Sequence, residues 1–207
     1  MTDAELVKLQ LSPNEWLVRK ARRVLHERAA AGGISKPAAD GLSAIFRSND
    51  STVSQRLRAL WAMRATGTLS YNHLIGDGLA APHEAVRAWS ARLLLEGYPN
   101  LAVVPNAGPQ QLPAVRKALT EALRDRSRTE QCAYVRVATI SAIQRADAGV
   151  RRELLDQWLV ALTEKSDPAE VQMMWYALSR ELPLRPDDAG EFLYHSQAPL
   201  IRVEYPF

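Results

Sequence analysis

Apolar residues return along this chain at intervals of three and four, and turn-forming residues separate the runs. Val53, Leu57, Leu60 and Trp61 stand at offsets of four, seven and eight, the stripe of a half-buried helix. Val86, Trp89, Leu93 and Leu94 repeat it one unit later. Each stripe follows cap and turn chemistry, Ser48-Asn49-Asp50-Ser51 before the first and Ala81-Pro82-His83-Glu84 before the second. Upstream, Leu6 and Leu9 give a weaker helical pattern. Ser12-Pro13-Asn14-Glu15 then predicts a capping box with proline at the first helical position. The helix after it carries Trp16, Leu17, Val18, Ala21, Val24 and Leu25, and Gly32-Gly33 ends it.

The pattern continues with short helices over 39–46 and from Tyr71 through Ile75. Gly76-Asp77-Gly78 reads as a turn. Residues 98–113 hold Pro99, Pro105, Pro109 and Pro113 and read as an irregular connection. Helices resume through Leu119 and Leu123, through Ala138 and Ile143, through Leu154 and Trp158, and through Val171, Met174 and Leu178. Ser166-Asp167-Pro168-Ala169-Glu170 caps the last of these. From Pro183 onward the periodicity dissolves into an extended tail.

Aligning the second helix of each unit on its opening valine pairs Val18, Val53, Val86, Val135 and Val171, at spacings of 35, 33, 49 and 36. Seven residues on come Leu25, Leu60, Leu93, Ala142 and Leu178. Three residues on come Ala21, Arg56, Trp89, Ala138 and Met174, where Arg56 departs from the pattern. Two helices per period of about 35 is the signature of stacked helical repeats, in which neighbouring units bury what one unit cannot. The expected fold is all-α, a right-handed α-solenoid of about five helix pairs over residues 1–182, with an extended tail over 183–207. Arginine follows the valine as Arg19, Arg87 and Arg136, and this Val-Arg step makes the units resemble HEAT repeats.

The resemblance is more specific in two places. Ser12 through Ala30, containing Trp16-Leu17-Val18-Arg19-Lys20-Ala21-Arg22-Arg23-Val24-Leu25, is one. Leu57-Arg58-Ala59-Leu60-Trp61-Ala62-Met63 with Val86-Arg87-Ala88-Trp89-Ser90-Ala91-Arg92-Leu93-Leu94 is the other. Over residues 10–97 these resemble the HEAT-like region of large planctomycete and verrucomicrobial membrane-bound dehydrogenases. There the region follows a propeller similar to sorbosone dehydrogenases and often precedes a c-type haem domain. The resemblance implies a dehydrogenase-associated scaffold between catalytic modules, exported within a longer parent chain. It carries no redox site here, because haem attachment needs Cys-x-x-Cys-His and Cys132 is the one cysteine.

Composition narrows the picture little. Of 207 residues, 47% are hydrophobic and 24% charged, with a formal net charge of +3 that permits nucleic acid or an acidic partner without requiring either. The N-terminus lacks the basic and apolar regions of a signal peptide. No apolar run approaches the ~20 residues of a membrane helix, so no membrane insertion is expected, and the compartment is not legible.

The basic residues are the candidate chemistry. Arg19, Lys20, Arg22, Arg23 and Arg28, with Arg56 and Arg58, form the best case for nucleic acid. Arg19, Lys20, Arg23, Arg56, Arg87 and Arg136 are the candidate interaction surface. The competing reading makes Arg19, Arg87 and Arg136 a ladder of bonds to carbonyls and carboxylates of adjacent loops, with Asp50 and Asp77 as partners. Trp16, Trp61, Trp89, Trp158 and Trp175 are expected in core and inter-repeat packing rather than in a ligand groove. His26, His73, His83 and His195 show no metal-ligand spacing, and neither a nucleophile elbow nor a phosphate loop is present. The sequence therefore points to a non-catalytic scaffold or protein-interaction module without cofactor or metal, holding a protein partner or flanking domains. A nucleic-acid-binding, glycosylase-like HEAT protein is the alternative, and a hydrolase with a groove carboxylate is a third reading.

Overall fold

Caps decide where the helices begin. The computed structural model describes residues 1–96 and 112–181, and among these the fold is all-helical, with no strand. α1 (Asp3–Lys8) opens at a capping box in which Thr2 Oγ1 accepts from the Glu5 N–H and Glu5 accepts from the Thr2 N–H. A 3₁₀ turn, Leu9–Leu11, leads to α2 (Glu15–Gly32). The box predicted between Ser12 and Glu15 does not form. Asn14 Oδ1 accepts from Trp16 N and Leu17 N at 3.0 and 3.4 Å, while Ser12 Oγ accepts from Asn14 N at 3.1 Å. Asn14 stands closer to the free N–H groups, so Pro13 stays outside the helix. Gly33, at φ +97°, ends it in a conformation that costs other residues a Cβ clash.

α3 (Lys36–Arg47) takes Pro37 into its first turn and so begins before the predicted Ala39. α4 (Val53–Ala65) opens on a second capping box, Thr52 with Gln55. A π-helix, His73–Gly78, runs through the glycine pair read as a turn, and Leu79 N bonds back five residues to Leu74 O at 2.8 Å. α5 (Glu84–Glu96) follows. Beyond residues 97–111 come α6 (Leu112–Thr129), α7 (Ala133–Ile143), α8 (Ala148–Val160), capped by Asp147, and α9 (Pro168–Leu178), capped by Asp167. The predicted irregular connection, apart from Leu112 and Pro113, and the predicted tail lie outside the described residues.

Two rows result. α2 packs on α4, α4 on α5, α5 on α7 and α7 on α9. On the other side α1 packs on α3 and α6 on α8. Within units, α1 meets α2, α3 meets α4, the π-helix meets α5 and α8 meets α9. One apolar core runs between the rows from Leu6 to Leu178 and includes Leu25, Phe46, Leu60, Met63, Leu94, Leu123 and Trp158, all fully buried. The residues seven past each aligned valine are buried in every unit. No helix among the described residues is long and apolar enough to cross a membrane.

Candidate interaction surface

Arginine recurs at one structural position. Arg56, Arg87, Arg136 and Arg151 are each the fourth residue of α4, α5, α7 and α8. A cation in a first turn opposes the helix dipole, so each needs an outside source of negative charge. The chain just upstream supplies it as carbonyls. Arg56 Nε donates to Phe46 O at 2.9 Å. Arg87 Nη1 donates to Ala81 O and Pro82 O. Arg136 Nη1 donates to Ser127 O and Glu130 O, and Arg151 Nη1 to Ala146 O.

Downstream units supply carboxylates. Arg87 holds Glu130 through two bonds, of 2.7 Å from Nε and 3.0 Å from Nη2. Arg136 Nε donates to Glu170 at 2.7 Å, and Arg151 Nε pairs with Glu181. All three glutamate side chains are 3% exposed. Burial would raise the Glu130 carboxyl, but bonds from Arg87 and the Cys132 N–H outweigh it and hold the pKa below its ordinary value. Because Glu130 also offers its carbonyl to Arg136, the chain Arg87–Glu130–Arg136–Glu170 is continuous.

This arrangement divides the predicted surface. Arg56 and Arg136 are 9% exposed, and Arg87 is engaged on both sides. These three face into the stack as clasps rather than outward as a shared binding surface. The ladder reading has the right kind of bond and the wrong acids: Asp77 pairs with Arg47 at 2.8 Å, and Asp50 donates its N–H to Ser48 and meets no arginine among the described residues. Arg19, Lys20 and Arg23 remain on the outside of α2. Arg19 lies 3.9 Å from Glu15, Arg23 bonds Glu27 at 2.7 Å, and Lys20 sits 5.6 Å from the centre of the Trp16 ring. Arg28 ties down the N-terminus through Asp3, and Arg58 reaches Ser12 O and Glu15.

The tryptophans divide as well. Trp158 is fully buried, whereas Trp16 is 64% exposed and no part of the core. Trp61, Trp89 and Trp175 are half-buried. Trp61 and Trp89 meet edge to face, 5.2 Å between centres and 78° between planes. Arg22 lies over Trp61 at 5.6 Å, and Arg92 lies between Trp89 at 5.4 Å and Tyr134 at 6.0 Å. A cation–aromatic strip thus crosses α2, α4, α5 and α7. Sequence reasoning had Arg22 in the basic cluster and both Trp residues on apolar stripes, but it did not single out Arg92 or Tyr134. The signal for them was available, since Arg92 follows Trp89 by three residues on one helix face.

Among the described residues His73 has the one arrangement that resembles a catalytic relay. Its Nε2 lies 2.9 Å from Ser43 Oγ and its Nδ1 2.7 Å from Ser70 Oγ. The Ser70 backbone N–H also points at Nδ1, at 3.1 Å, which makes Nδ1 an acceptor and leaves the proton on Nε2. Nε2 then donates to Ser43 and cannot take its proton, so the contact fixes the π-helix to α3 without activating a nucleophile. Burial lowers the His73 pKa, Arg47 lowers it further and Asp77 opposes them. Cys132 stands at the start of α7 against Ala88, Val135 and Ala138. His195 lies outside the described residues. Among the described residues no three His, Cys, Asp or Glu side chains are grouped to hold a metal ion. No family model matches the chain, and no curated protein matches it.

Proposed function

We propose that the chain is a non-catalytic scaffold, a right-handed HEAT-like α-solenoid of about five helix pairs that holds a protein partner or the flanking domains of a longer chain. The observation that supports this most is the repeated clasp. The same arginine position serves in α4, α5, α7 and α8, and three of the four tie forward to a buried glutamate. Such a device holds successive units in fixed relation, as a scaffold requires. The dehydrogenase-associated role rests on the resemblance of residues 10–97.

The runner-up is nucleic-acid binding, favoured by one observation: exposed Trp16 under Lys20, beside Arg19 and Arg23 on α2. Two titrations separate the readings. The propeller of a resembled dehydrogenase, expressed alone, is titrated into this chain by calorimetry. A labelled DNA duplex is titrated by fluorescence anisotropy at low and physiological salt. The scaffold reading expects propeller binding and no duplex binding. Duplex affinity that falls log-linearly with salt would demote it.

A further inference from the structure

We propose that the strip Arg22–Trp61–Trp89–Arg92–Tyr134 is the docking site for an extended acidic segment of a protein partner. The inference rests on the scaffold reading and names the surface and ligand chemistry that reading leaves open.

Charge carries it. Most other arginines on these helices find carboxylates, as Arg64 with Glu96, Arg87 with Glu130 and Arg136 with Glu170, and Arg56 finds the Phe46 carbonyl. Arg22 and Arg92 have no ion pair or hydrogen bond among the described residues, and each lies over an aromatic ring instead. Arg22 Nη1 and Trp61 Nε1 are both buried donors without an acceptor among the described residues, a state that costs free energy. Burial lowers the Arg22 pKa; Glu15 opposes that, while the Arg19 and Arg58 charges add to it. An incoming anion relieves this stress.

Geometry selects the occupant. A guanidinium matches a carboxylate through two parallel bonds, and of the Arg22 donors Nη1 alone is buried without a partner. Nucleobases need open rings to stack on. Here Arg22 lies over Trp61, Arg92 lies over Trp89, and the two indoles meet edge to face. The contacts of 5.6 Å from Arg22 to Trp61, 5.2 Å from Trp61 to Trp89 and 5.4 Å from Trp89 to Arg92 put the two guanidinium carbons at most about 16 Å apart, two close helix spacings. An extended chain at ~3.3 Å per residue covers that in about five residues. The strip therefore fits two acidic residues separated by about that many positions.

The probe is a fluorescein-labelled peptide with a Glu pair at each end of a four-residue Gly-Ser spacer, followed by anisotropy. Binding that weakens with salt is expected. It should fall by at least about tenfold in the double variant R22Q/R92Q, at an unchanged thermal melt, and stay near native in R19Q/R23Q. If the double variant melts early, R92Q alone should still weaken binding severalfold. The proposal is overturned if the native chain ignores the peptide at low salt, or if R22Q/R92Q binds it as well as native. Tighter binding of a length-matched single-stranded DNA would overturn it in favour of nucleic acid. A double variant that still binds the propeller removes the strip and leaves the scaffold standing.

Discussion

At the scale of single residues, the clasps make sharp energetic claims. Arg136 spends its donors on Glu170, two carbonyls of its own unit and Ala161 O, and its guanidinium lies 5.4 Å from the centre of the Trp158 ring. Removing one member of a buried pair strands the other, which typically costs about 3–5 kcal/mol, whereas replacing both with apolar residues is often neutral. Glu170→Ala should therefore lower the unfolding free energy by about that much. Arg136→Met with Glu170→Leu should recover most of it. A double-mutant cycle in urea measures the difference, and a coupling near zero would show that the pair is ornamental. Trp158→Ala should cost a similar ~3–5 kcal/mol as a core truncation, while exposed Trp16→Ala should stay within ~0.5 kcal/mol. Thermal melts of the two variants side by side check this.

At the scale of elements, most helices were legible because apolar spacing and caps agree, as for Thr52 with Gln55 before Val53 or Asp167 before Pro168. What escaped depended on choices between close competitors. Asn14 displaced Ser12 as a cap because both are good acceptors, and only the backbone path decides. The clasp position was hidden by aligning on valine: Val53 is the first residue of α4, while Val86 and Val135 are third in α5 and α7. Counting from each helix start instead brings Arg56 into line with Arg87 and Arg136. The glutamates that receive these arginines lie 43 and 34 residues downstream, a separation that local patterns do not encode. The π-helix was unreadable for a similar reason, since Gly76 and Gly78 favour a turn until α5 packs against Gly78. That packing is close. A Cβ on Gly78 would collide with Ser90 Oγ and stand 2.7 Å from Ser90 Cβ, nearer than real contacts allow. Gly78→Ala should destabilise the chain by about 1–3 kcal/mol through overpacking. Adding Ser90→Gly should relieve part of the loss, and urea midpoints of the single and double variants decide it.

At the scale of the whole molecule, ionisable groups held by the fold make stability depend on pH in two steps of the same sign. His73 is pushed below its ordinary value of 6.5, so the unfolded chain takes up its proton first. Stability from a neutral His73 is complete above that value and declines as pH falls below it, until the folded state is protonated as well. Glu130 is held below its ordinary 4.5, and Asp3, bonded by the Ser35 N–H and Arg28, below its ordinary 3.8. Their contribution is present above those values and is lost as pH falls through the lower folded ones. Acidification should therefore weaken the stack first near the π-helix, where Ser43, Ser70 and His73 meet, and later where Arg87 joins α5 to the start of α7. Urea midpoints between pH 8 and pH 3 should decline in two phases. His73→Asn should flatten the upper phase alone, because Asn keeps hydrogen-bonding capacity without a titrating proton. Glu130→Gln should lower stability at neutral pH and make the lower phase shallower without touching the upper one, the remainder belonging to Asp3. The assignment fails if His73→Asn leaves the upper phase intact, since another group would then be responsible for it. A single phase that both variants shift together would instead mean that the two rows respond to protonation as one unit.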